Sequence, residues 1–194
     1  MQIPIFPLNV VLFPGGRLPL RIFESRYLDM ISRCMKTDSS FGVLLIREGS
    51  EAEMATTHLV GTLAKISDWY QGSDGVLGVT ATGGQRFRLL SSERQHDGLN
   101  VGEVELIPDE EPSPLPDQYQ ALSPILANVL DDLGRLYESL QRRPDDAVWI
   151  SYRFLEILPL DLAQKQRSLE SSDTAARLKL VDKLLDSVRG PIAH

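Results

Sequence analysis

The chain of 194 residues has one cysteine and three histidines. One thiol excludes an internal disulfide and any multi-cysteine metal site. His58, His96 and His194 fall at a strand start, a turn and the last position, with no HExxH or other paired spacing. They read as unrelated surface residues, so no metal and no cofactor is expected. No apolar run approaches the roughly 20 residues of a spanning helix, and the N-terminus lacks a basic start followed by an apolar stretch. The expectation is a cytoplasmic protein without membrane contact.

Basic charge is also short. Lys and Arg number 20 against 27 Asp and Glu, for a net charge of −7. Residues 1–107 hold 10 basic and 12 acidic groups, and residues 108–194 hold 10 and 15. An electrostatic nucleic-acid surface needs clustered cations to displace phosphate counterions, so nucleic acid is not an expected partner. No G-x-x-x-x-G-K-S/T loop is present to cradle phosphates.

Proline and apolar residues dominate the opening, IPIFPLNVVLFPGGRLPLRIFESRYLDMISRCM. Pro4, Pro7, Pro14 and Pro19 each fix φ and remove a donor, so this stretch cannot be a central strand throughout. It reads as strand, loop, strand and helix, a wall that kinks and changes partner. The helix is expected over Glu24 to Lys36, with Tyr27, Leu28, Ile31, Cys34 and Met35 on one face. Strands follow at Phe41–Arg47, whose continuous apolar run suits a doubly covered strand, then His58–Tyr70, Val76–Thr82, Gln85–Arg94 and Leu99–Ile107. Glu48 to Thr57 is read as a polar loop, and Gly72-Ser73-Asp74-Gly75 and Gly83-Gly84 as turns. About six strands with one helix suggest a small barrel or a highly curved sheet.

PDEEPSPLP, residues 108–116, reads as a stiff polar linker. Beyond it, 3–4 spacing predicts a helix through Leu122–Leu140, with Ser123 as cap or Pro124 kinking it. A second starts at Pro144–Asp146 and ends at Pro159. A third is capped by Asp161, and a fourth by Ser172 or Asp173 with Ala176, Leu180, Val181, Leu184, Leu185 and Val188 inward and Gly190-Pro191 as its stop. The fold class is α+β: a β-rich part over residues 1–107, a linker, then a helical bundle over 117–190.

Four segments carry a resemblance. The opening resembles the start of the Lon protease N-terminal domain, P-I/V-L/F-P-L, a loop, V-V-L-F-P, then L-P-L-x-I/V-F-E-x-R-Y. Val60-Gly61-Thr62 with Ala64-Lys65-Ile66, Gly84-Gln85-Arg86-Phe87-Arg88, and Leu158 to Glu170 (LPLDLAQKQRSLE) are similar to later elements of that domain in the same order. The resemblance spans roughly residues 3–188. It implies a PUA-like β-barrel followed by a helical bundle, and a stand-alone substrate-binding protein without ATPase or peptidase parts. The alternative it implies is RNA binding, since PUA-like barrels also serve as RNA-binding scaffolds.

Cys34 lies on an apolar helix face, so a buried inert thiol is expected. Glu110-Glu111, Asp131-Asp132 and Asp145-Asp146 read as solvated rather than held in a low-dielectric cleft. Ser168 with Lys165 reads as surface chemistry. No enzyme activity is expected. The candidate binding residues are Trp69 and Tyr70 as an aromatic platform, Arg86 and Arg88 on one sheet face as an anion contact, and Met30, with Met35 and Met54, as adaptable apolar contacts. The expected ligands are unfolded or apolar polypeptide segments, delivered to a protease.

Overall fold

The computed structural model describes residues 1–49 and 56–189. Met54 and the Gly190-Pro191 stop lie outside them, as do His194 and the side chains of Val188 and Arg189. The chain divides into two compact units, Met1–Asp109 and Glu110–His194, and is mixed α+β.

The first unit contains β1 (Gln2–Leu8), β2 (Arg17–Ile22), α1 (Ser25–Thr37), β3 (Phe41–Glu48), β4 (Thr56–Thr57), β5 (Val60–Gln71), β6 (Leu77–Arg94) and β7 (Asn100–Leu106). The sheet runs β1-β7-β6-β5-β3-β4, and β1 also pairs with β3, so the path returns to its first strand. The prolines of β1 are explained by its partners. Gln2 to Ile5 pair antiparallel with β7, and Ile5 to Leu8 pair parallel with β3. Only Ile5 is paired on both sides, so Pro4 and Pro7 each keep one side where no ladder donor is needed.

Two clusters form the interior of this unit. Ile3, Ile5, Leu44, Phe87 and Val104 make one. The other includes Phe6, Leu8, Phe41 and Val43, together with Tyr27, Met30, Ile31 and Cys34 of α1. Neighbouring residues of β1 and β3 thus face opposite clusters, which is why both strands are apolar almost throughout.

The F-E-x-R-Y run gains a physical reading. Tyr27 stacks on Phe6 with ring centroids 3.9 Å apart. Arg26 lies over the Tyr27 ring at 4.6 Å, pairs with Glu24 at 2.7 Å and donates to the Gly98 carbonyl at 3.0 Å. The start of α1 is therefore tied both to β1 and to the β6–β7 turn.

One strand replaces two expected ones. Gly83-Gly84 is not a turn: β6 runs unbroken for 18 residues. Its first part pairs with β2 and its last part with β7. The glycines serve a crossing. Gly15 N–H donates to Gly83 O at 2.8 Å, and Gly83 N–H donates to Gly16 O at 2.9 Å. A Cβ at Gly83 would lie 2.2 Å from Phe13 O. Thr62 Oγ1 donates to Leu12 O at 2.5 Å from the adjoining strand. The opening loop is pinned there, with the Phe13 side chain fully buried.

The second unit contains α2 (Leu122–Asp132), α3 (Arg135–Glu138), α4 (Ala147–Ile157), α5 (Leu162–Glu170) and α6 (Thr174–Arg189). The single helix expected over 122–140 is split at Gly134, whose φ is 65°, a conformation costly for other residues. Pro124 falls in the first turn of α2, where its missing donor is tolerated. Ala121, not Ser123, occupies the N-cap. Asp146 caps α4 through Val148 N–H and Asp161 caps α5 through Gln164 N–H. Asp173 accepts from Ala176 N–H at 2.9 Å at the start of α6.

Residues 110–116, read as part of a linker, are an arm laid on these helices. Leu115 is buried and its N–H donates to Asp145 O at 3.0 Å, while Ala147 N–H donates to Ser113 O at 2.8 Å. Glu110 is the anchor. Its Oε2 lies 2.6 Å from Arg177 Nη2 and accepts from Thr174 Oγ1 at 2.9 Å, and Tyr152 O–H donates to its other oxygen. Arg177 also sits 4.2 Å above the Tyr152 ring and donates to Ser151 Oγ at 3.1 Å and Ser171 O at 2.9 Å. Composition placed Glu110 in a polar run and gave no sign of this distant partner.

Two measurements check this description. Gly83→Ala should destabilise by about 1–3 kcal/mol through overpacking, whereas Gly84→Ala, whose Cβ would find its nearest neighbour at 3.5 Å, should be near neutral in urea unfolding. Burial alone would raise the Glu110 carboxyl, but the hydrogen bonds from Arg177 and Tyr152 outweigh it and hold the group below its ordinary 4.5. A depressed carboxylate stabilises fully above that value and loses its contribution as pH falls through the folded one. Glu110→Gln should therefore cost about 3 kcal/mol at neutral pH, and its gap to the wild type in thermal unfolding should narrow as the pH falls below 4.5.

Candidate functional site

A groove of about 320 Å³ opens in the first unit between the C-terminal end of α1 and β5. Cys34, Met35, Asp38 and Ser39 line it from the helix side, and the unbroken run Lys65-Ile66-Ser67-Asp68-Trp69 lines it from the strand. Helical and strand periodicity together make it amphipathic. Cys34 is buried in the core cluster, and burial pushes its thiol up, so it is a protonated apolar surface. Met35, one position on, is 41% exposed, and Trp69 is 57% exposed.

The backbone explains the polar end. Asp38 ends α1 in the left-handed region, φ 51°, which carries the chain into β3. Its carboxylate pairs with Lys65 at 2.8 Å, across the groove and next to Ala64, where β3 begins to pair with β5. A register shift between Ile66 and Asp68 follows. After it Trp69 lies opposite Val79, which lies opposite Leu20 of β2. Opposed residues share a sheet face, so Trp69 is on the face of buried Val79, at the margin where the core meets solvent.

Tyr70 points the other way. It lies opposite Gly78, itself opposite Arg21. A Cβ at Gly78 would fall 2.3 Å from the Tyr70 ring, so the ring lies over bare glycine backbone. Arg21 and Asp74 pair beside it, and these residues line a second recess of about 250 Å³. Val76 N–H donating to its carboxylate, together with Arg21, holds the Asp74 carboxyl below its usual range. Tyr70 is 53% exposed. Trp69 and Tyr70 thus belong to two faces of one hairpin, not to one platform.

Two other candidate residues are displaced from any ligand surface. Met30 is fully buried in the core under α1, because it falls one turn before Cys34 on the inward stripe. Arg86 is 2% exposed and Arg88 is exposed. Arg86 lies opposite Thr62, which binds the opening loop, so the loop overlies that part of the strand and the two arginines do not form one solvated pair. Sequence alternation placed them on one face and could not show that half of that face is covered.

The second unit holds charge in structural roles. Arg153 is fully buried and pairs with Glu156 at 2.9 Å, and Tyr137 O–H donates to Glu156 at 3.0 Å. Lys165 Nζ donates to the Glu156 carbonyl at 2.8 Å, and burial, opposed by Glu156, lowers its pKa. Ser168 is buried and Lys165 half-buried, which corrects the reading of the two as surface groups. Asp131 pairs with Arg142 at 2.5 Å. Among the described residues no group of three or more His, Cys, Asp or Glu is placed to hold a metal ion, and no helix is long and apolar enough to cross a membrane.

The sequence profile described as the ATP-dependent protease La (LON) substrate-binding domain matches residues 2–187. The chain belongs to this family. The match covers the domain that stands before the ATPase and protease parts of Lon enzymes, and neither of those parts. A crystal structure of a Lon N-terminal domain protein from Xanthomonas campestris is 35% identical and superposes with a TM-score of 0.76, over 93% of this chain and 96% of that one. Lon protease of Cytophaga hutchinsonii is 24% identical over 95% of the chain, and protein cereblon of Xenopus tropicalis 33% identical over 56%. The Lon-domain chain spans about a quarter of the length of these two relatives, 24% of each.

Exposure separates binding residues from structural ones. Trp69→Ala should leave stability within about 0.5 kcal/mol, as surface substitutions do. Met30→Ala should cost about 2–5 kcal/mol by opening a core cavity. Chemical denaturation of the two variants checks the division.

Proposed function

We propose that this Lon-domain chain is a non-enzymatic module that binds unfolded or apolar polypeptide segments in the groove between α1 and β5, for hand-over to a protease in the cytoplasm. The observation that carries the reading is the groove itself: exposed Met35 on the helix wall and exposed Trp69 on the strand wall face one recess beside buried Cys34, on the scaffold of a substrate-binding domain. An exposed Trp and Met on facing walls of one recess give a ligand two apolar contacts beside a polar rim. Met adapts its shape to many partners and Trp anchors them, which suits a ligand defined by being unfolded rather than by one sequence. Tyr70, over Gly78 on the other face of the hairpin, and Arg88, opposite Val60 at the far end of β5, stand outside this groove. We read the closed circuit β1-β7-β6-β5-β3-β1 as the PUA-like barrel, and α2 to α6 as the helical bundle. The acidic balance, −7 overall, disfavours RNA as the ligand.

The test is titration of a fluorescently labelled, permanently unfolded protein against wild type and Trp69→Ala/Met35→Ala. Loss of two anchors should weaken binding by roughly tenfold or more. Unchanged affinity in the double variant, or no binding by wild type at high micromolar concentration, overturns the proposal.

A further inference from the structure

The strand side of the groove is an open sheet edge. β3 pairs with β5 only over Thr62 to Ala64, and no other described strand pairs with β5 on that side. Beyond Ala64, β5 continues for seven residues as one arm of the hairpin with β6. The direction of its main-chain groups follows from the turn. Gly72 N–H donates to Val76 O at 2.9 Å. Bonded and non-bonded positions alternate along an antiparallel ladder. Counting back, Tyr70 opposite Gly78 and Asp68 opposite Thr80 direct their N–H and C=O to β6. Trp69 and Gln71 direct theirs outward, away from β6.

A second observation agrees with this count. Trp69 N–H is bonded at 2.8 Å by the side chain of its own neighbour, Asp68. A carboxylate stands where the carbonyl of an adjacent strand would stand. Exposed edges of this kind are usually blunted by proline, lysine or a bulge. β5 has two register shifts, Thr62/Ala64 near β3 and Ile66/Asp68 just before the segment, and Lys65 between them; Trp69–Gln71 itself carries no bulge, lysine or proline.

We propose that the segment Asp68–Gln71 takes an extended polypeptide as an added strand, with apolar residues at alternate positions and a Lys or Arg beside them. This rests on the reading of the groove as the polypeptide site and names how the ligand is held. Outward main-chain groups spaced two residues apart match an extended backbone and not a helix, whose own groups are satisfied internally. An added strand would lie between β5 and the end of α1. Alternate side chains would meet Ile66, Trp69 and Met35, and the intervening ones would face solvent. The charge requirement follows from the rim: Lys65 is paired with Asp38, so the Asp68 carboxylate is the charge left for a ligand, and displacing it from Trp69 N–H turns it toward a cation.

The experiment uses the full chain and a fluorescein-labelled decapeptide of alternating valine and threonine with lysine at both ends, in three forms: unmodified, N-methylated at the odd positions, and N-methylated at the even positions. N-methylation removes a donor and leaves the side chains. One methylated series should bind at least about tenfold more weakly and the other within about twofold of the parent, because only one row of amides faces β5. Asp68→Lys should weaken the parent and strengthen a glutamate-ended peptide. Equal affinity for both methylated series overturns the proposal, as does a parent whose affinity Trp69→Ala leaves unchanged. If the unfolded protein still binds in a Trp69-dependent manner while the peptides show no amide pattern, strand addition alone falls. If the unfolded protein does not bind, the polypeptide reading falls with it.

Discussion

A crossing without a side chain organises the first unit. Where Phe13–Gly16 passes over β6, the two backbones approach closely enough that Gly83 accepts no Cβ. Main-chain bonds between Gly15, Gly16 and Gly83, and the bond from Thr62 to Leu12, fix the contact. This point is also where β6 changes partner, from β2 on one side of Gly83 to β7 on the other. A continuous 18-residue strand can serve two neighbours on one edge only if the change falls where the chain between them is held. The loop at Gly83 holds β2, and the circuit of pairings depends on β2 being excluded from the second half of β6, where β7 must pair.

The same constraint sets the groove. β6 is longer than any strand that could cover its hairpin partner, so β5 extends past the start of β3 and its far arm is paired on one side only. The helix α1 approaches that arm at its C-terminal end, where Asp38 turns the chain away. The recess is a by-product of strand lengths: a long hairpin set against a short, doubly buried β3. The arm still lies over the core: Ile66 packs against the same cluster as Phe41, Val43 and Ala64, and Val79 and Ala81 opposite the arm belong to it.

Much of this was legible in the residues. The proline spacing predicted a first strand that changes partner, and the unbroken apolar run of Phe41–Ile46 predicted a strand covered on both faces. A helix start at Pro144–Asp146, a cap at Asp161 and a cap at Ser172 or Asp173 followed from side-chain chemistry close in sequence; that Asp146 itself is the buried cap did not. What was missed depends on distant partners. Gly83-Gly84 carries the composition of a turn, and only the loop 70 residues upstream gives it another use. Glu110 sits among prolines and acids, and its clasp requires Arg177, 67 positions away. Arg86 and Arg88 alternate correctly, but alternation reports a face and not what overlies it. Tyr27, Ile31 and Cys34 were on the right stripe of α1, but Met30 was left off it as a ligand contact and Met35 was put on it; the 3–4 spacing could not mark that the stripe leaves the core at Met35.

That emergence is where stability and recognition part. Cys34 belongs to the core cluster and Met35 does not. Across the groove, Val79 is fully buried while Trp69, its cross-strand neighbour, is mostly exposed. One helical position and one strand pairing separate residues that close the core from residues left to solvent. A surface built this way can vary its exposed side chains freely, since their contacts contribute little to folding, while the buried neighbours keep them in place. Under the proposed strand addition, affinity would come from two sources of different specificity. Main-chain groups on β5 would read only that a ligand is extended, and Trp69, Met35 and Asp68 would read that it is apolar and basic. A folded protein has already satisfied its backbone and buried its alternating apolar residues, so it offers neither feature together. On that proposal, discrimination between folded and unfolded chains would follow from geometry, with no need for the groove to move or for a particular sequence to be recognised.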